Sequence, residues 1–64
     1  MLIRDANRIK IFCDELAELW AKYPDLRFGQ IMSNIDRYIH NEYDKDMFYM
    51  EDDALMEVIR KRLR

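Results

Sequence analysis

PDLRFGQIMSNI, residues 24–35, holds the only proline and the only glycine of the chain. Its reading decides the fold, because a proline there separates two amphipathic stretches. The residue before a proline is pushed out of the α region, so Tyr23 should close one helix. Proline suits the first position of a helix, so Pro24 or Asp25 should begin the next. From there Phe28, Ile31, Met32, Ile35, Tyr38 and Ile39 recur at helical spacing, and the pattern runs to about His40. Gly29 falls inside that helix, beside the apolar stripe. A glycine in a helix costs about 1 kcal/mol relative to alanine, so close approach of Trp20 or another backbone is the expected compensation.

Upstream of the proline, Ile9, Phe12, Cys13, Leu16, Leu19, Trp20 and Tyr23 form one stripe of a helix from about Ala6 to Tyr23. Arg8, Lys10, Asp14, Glu15, Glu18 and Lys22 take the opposite side, and Ile11 stands among them as an apolar exception. Asp5 occupies the place of an N-cap, where a carboxylate can accept an orphan backbone N–H. Downstream, NEYDKDMFYM (41–50) carries no helical stripe and reads as a loop tucking Phe48, with Met47 or Tyr49, against the core. A third helix starts near Glu51 to Asp53 and buries Leu55, Met56, Ile59 and Leu63. Its acids lead and its basic residues trail, the order favoured by the helix dipole. The expected fold is therefore all-α, a single domain over residues 1–64 with a helical hairpin around Pro24 and a shorter C-terminal helix. Its expected core is Phe12, Leu16, Trp20, Phe28, Ile31, Ile35, Leu55 and Ile59, with Leu19 and Ile39 at the margin.

A chain of 64 residues forms one domain at most and has a thin core. Half of its residues are hydrophobic, which favours a folded chain over a disordered one. Small domains commonly gain stability from disulfides, a metal or self-association. Cys13 is alone, so no disulfide forms within the chain, and Cys13 with His40 falls short of the usual zinc ligand set. One cysteine and no signal-like start point to a reducing cytoplasm. No apolar run approaches the roughly 20 residues of a membrane span.

Three motifs together, RDxNRI near the start, LWxKYPDLRFGQ in the middle and DxFYxEDD near the end, resemble a family of short uncharacterised proteins from Gram-positive bacteria and their phages. The similarity covers nearly the whole chain, and PDLRFGQ is its most specific part. The chain departs from that pattern at Ala6 and Met47, where the family tends to have proline. The resemblance implies a small intracellular domain, in a phage or prophage setting. It brings no activity, cofactor or site residue.

No catalytic constellation is visible. His40 is the only histidine, and nothing near it in sequence completes a nucleophile–base pair. Cys13 on the apolar stripe, flanked by Asp14 and Glu15, reads as a small buried hydrophobe. Gly29 without a following Lys-Ser/Thr is no phosphate loop. DKDMFYMEDDAL (44–55) lacks the glycine and glutamate of a calcium loop, having Tyr49 and Leu55 in their places. The acidic run from Glu42 to Asp53 can face a basic partner. RKRLR (60–64) has the look of a phosphate contact, yet the same cations suit a helix C-terminus, and the net charge is −2. The expected function is thus a non-enzymatic protein-interaction module without a cofactor or a metal. The alternative is a nucleic-acid-binding accessory that uses the basic tail. Leu2, Ile3, Ile11, Tyr43, Met47, Met50 and Val58 lie outside the stripes or at their edges, which favours a homodimer that covers them. Expected partner contacts are Ile11, Tyr43, Met47, Met50, Arg60, Arg62 and Arg64.

Overall fold

A computed structural model describes residues 5–63. Leu2, Ile3 and Arg64 lie outside that range. The described residues form helix α1 (Asn7–Ala21), helix α2 (Phe28–Tyr43), a 3₁₀ turn (Met47–Tyr49) and helix α3 (Asp52–Arg62). The all-α class, with a shorter third helix, is the one the stripes predict. No helix among the described residues is long and apolar enough to cross a membrane.

The corner at Pro24 differs from expectation. The Leu26 N–H donates to the Tyr23 carbonyl at 3.0 Å, so Pro24 and Asp25 are the central pair of a β-turn and not the start of a helix. Helix α2 begins at Phe28, after an extended Arg27 whose N–H donates to Gln30 Oε1 at 2.8 Å. Gln30 thus reaches back across the first turn and satisfies a backbone donor there. The indole of Trp20 locks the corner: its Nε1 donates to the Leu26 carbonyl at 2.8 Å, and its ring lies 5.7 Å from that of Phe28. Gly29 plays no part in this. A Cβ built there meets nothing within 4 Å, which removes the close approach expected of it.

At the other end α2 continues past His40 to Tyr43. Asp44 stops it in the left-handed conformation, with φ of 52° and its N–H on the His40 carbonyl at 3.2 Å. Aspartate tolerates that conformation better than most residues, so the helix can end without a glycine. The N-cap of α1 is Ala6, one residue later than expected and without a side-chain cap; the carboxylate of Asp5 just before it accepts the Asn7 N–H at 2.9 Å.

The core is built by α2 and α3. Ile31, Ile35 and Ile39, spaced four apart, are buried with Met56, Val58, Ile59 and Leu63. Full burial of an isoleucine side chain contributes about 1.5–3 kcal/mol, so this short list dominates stability. Ile39 is fully buried and not marginal, because α2 runs a further turn and the 3₁₀ segment packs on it. Val58 is buried as well, because α3 makes the close approaches to both α1 and α2 and so needs two covered flanks. Phe12, Leu16, Trp20 and Leu55 are half-buried against this core. Helix α1 itself contains no buried residue: Ile9 is 54% exposed and Cys13 is exposed, contrary to its reading as a buried thiol. Phe28, expected inside, is also exposed.

Candidate interaction surface

The 3₁₀ turn arises from DMFYM (46–50). The Asp46 carboxylate accepts the Phe48 N–H at 3.0 Å, and the Asp46 and Met47 carbonyls accept the Tyr49 and Met50 N–H groups at 3.1 Å each. A 3₁₀ turn has three residues per turn, so Met47 and Met50 eclipse on one side. Both methionines are half-buried against the core. The two aromatics between them are therefore turned out. Phe48 is 83% exposed and Tyr49 is 80% exposed, so neither is tucked into the core as the sequence suggested. Their rings meet edge to face, with centroids 4.9 Å apart. The pattern Met-Phe-Tyr-Met, read with a period of three, is the signal that would have placed them outside.

Beside this pair lies a shallow hollow of about 430 Å³ lined by Lys45, Asp46, Tyr49, Met50, Glu51 and Ala54. A second hollow of about 220 Å³ adjoins it through Lys45, Met50 and Ala54, with Tyr43 and Val58 in its wall. The structure thus brings Tyr43 and Met50, two of the expected contacts, onto one surface, whereas Met47, a third, lines neither hollow and packs half-buried against the core. Ile11 is 68% exposed and belongs elsewhere. It lines a cleft of about 200 Å³ between α1 and α3, with Phe12 and Met56 among its apolar neighbours. Two ion pairs bridge the helices at that cleft, Arg8 with Asp52 and Arg60 with Glu15. The second is a two-pronged fork whose Nη2–Oε1 arm measures 2.9 Å. The hydrogen bond from Arg60 holds the Glu15 carboxyl below its ordinary pKa and raises that of Arg60.

Arg60, Lys61 and Arg62 of the basic tail are exposed, but two of them are engaged within the chain. Arg60 is held by Glu15, and the guanidinium of Arg62 sits over the Tyr38 ring at 4.8 Å. Tyr38 also meets Tyr43 edge to face at 5.9 Å, and hydrogen bonding to Tyr43, then burial, raise its phenol pKa. No buried side-chain polar atom among the described residues lacks a partner. His40, near the end of α2, is 3.4 Å from Asp36 and has no nucleophile placed against it by any hydrogen bond in the described residues. Asp36, His40 and Asp46 do converge, with donor atoms within 4.8 Å of one another. Counting only cysteine and histidine as ligands misses that group. Comparison with protein families, with curated proteins and with solved structures gives no match.

Proposed function

We propose that the chain is a non-enzymatic protein-interaction module whose leading contact is the Phe48–Tyr49 pair. The observation that carries this reading is their exposure: two adjacent aromatic rings, each four-fifths or more exposed, held on a hydrogen-bonded turn. Exposed large rings are the side chains most often found as interface anchors, and a rigid turn lowers the ordering cost of using them. Tyr43 and the hollow beside Met50 extend the same surface. Because both rings are exposed, the double variant Phe48→Ala/Tyr49→Ala should keep the wild-type stability within about 0.5 kcal/mol. In affinity capture from the native host it should lose the proteins that wild type retains. Capture of the same proteins by a folded double variant would refute the assignment.

The homodimer belongs to this proposal as a second mode. It is supported by Ile11, which is 68% exposed on α1. Sedimentation equilibrium at high micromolar concentration checks it, and a monomer mass there excludes it. The nucleic-acid reading has less support, since Arg60 and Arg62 already engage Glu15 and Tyr38. A steep loss of binding with added salt would favour it instead. The proposed cytoplasmic placement rests on the single cysteine, and the proposed phage or prophage setting on the motif resemblance.

A further inference from the structure

We propose that Asp36, His40 and Asp46 form a binding site for a divalent transition-metal ion of the Zn²⁺ class. Asp36 and His40 are one turn apart on α2, so their side chains share a face. His40 Nε2 and Asp36 Oδ1 are 3.4 Å apart. Tetrahedral zinc with bonds near 2.0–2.1 Å separates its donors by about 3.3 Å, so this edge is already formed. Asp46 comes from the other side of the turn. The left-handed Asp44 stops α2 and the chain folds back, which puts all three donors within 4.8 Å of one another. The Phe48 N–H holds one carboxylate oxygen of Asp46 at 3.0 Å, orienting that group. Closing the remaining gap takes at most about 1.5 Å of side-chain rotation to reach ligand spacing.

The histidine sets this group apart from a simple patch of acids. Two carboxylates attract any dication, but an imidazole nitrogen suits zinc and its neighbours and does little for calcium or magnesium, which take oxygen ligands. Three protein donors leave a fourth position for water. A bound ion would tie the end of α2 to the turn that carries Phe48 and Tyr49. The site itself stands whether or not those rings bind a protein.

The test uses the full chain with Cys13→Ser, because the exposed thiol would itself take zinc. Zn²⁺ is titrated against a chromophoric chelator at neutral pH, with Ca²⁺ and Mg²⁺ titrated separately by calorimetry. The expected result is saturable binding of a single Zn²⁺ per chain. His40→Ala and Asp46→Asn should each weaken it by at least about tenfold, since even the outer-shell partners of a metal site carry that much. Asp14→Asn, in an acid on α1, should leave it unchanged. All three variants alter exposed side chains, and circular dichroism verifies that they fold. Absence of saturable Zn²⁺ binding, equal affinity in His40→Ala, or equal affinity for Ca²⁺ and Zn²⁺ would each overturn the assignment.

Discussion

Gly29 lies in the first turn of α2 with open space where a side chain would project. Its backbone is ordinary helix, so nothing requires the freedom of glycine. Alanine there removes conformational freedom from the unfolded chain and creates no clash. Gly29→Ala should therefore raise stability by about 0.4–1 kcal/mol, read from denaturant midpoints at constant slope. A loss of stability would mean that a neighbour needs the gap. Asp44 is the opposite case, an L-residue at positive φ where glycine would be the usual choice. Its position explains why the end of α2 is hard to read in sequence. The usual glycine stop is missing, and the apolar stripe has already finished at Ile39.

At the scale of elements, the corner between α1 and α2 depends on Trp20 more than on Pro24. The indole N–H reaches over the turn to the Leu26 carbonyl, and the ring packs on Phe28. Trp20→Phe keeps much of the packing and deletes that donor. It should cost about 1 kcal/mol, the net worth of a typical hydrogen bond, and thermal unfolding measures it. A variant as stable as wild type would show that water serves the carbonyl equally well. The helices themselves were legible, because the stripes of α2 and α3 contain Ile31, Ile35, Ile39, Met56, Ile59 and Leu63, which become buried, although Phe28 on the stripe is exposed and Val58 off it is buried. The start of α2 was misplaced for a physical reason: proline at the first helical position and proline in a β-turn share the same φ near −65°, so sequence alone does not separate them. Ile11 could be read as exposed from its place off the stripe. Phe48 and Tyr49 could not, since a helix or loop reading hides the three-residue period that turns them out. The Asp36–His40–Asp46 group was also illegible. Its assembly depends on the reversal at Asp44, which no spacing rule anticipates.

Across the whole molecule, α1 is fastened to α3 by ion pairs at both sides of an apolar cleft. The Glu15 pKa is lowered in the folded state by its hydrogen bond to Arg60. A lowered carboxyl pKa gives stability that is complete above the unfolded value, about 4.3 for glutamate, and is lost as pH falls through the folded value. Wild type should accordingly exceed Glu15→Gln in melting temperature at neutral pH and low salt. The difference should shrink as pH drops below about 4.3, the unfolded glutamate value. A gap independent of pH would show that the variant acts through packing instead.

The lack of any buried residue in α1 also has a kinetic side. Backbone amides exchange with solvent deuterium through the cheapest opening that exposes them, and helices with few buried apolar contacts detach first. Amides of α1 should exchange by a local unzipping that leaves the isoleucine ladder of α2 intact. Those of Ile35, Ile39 and Ile59 should wait for global unfolding. Native-state exchange followed by NMR would then resolve two protection classes in this small domain, with α1 in the faster one. Uniform protection across all three helices would mean that the chain opens as a single cooperative unit.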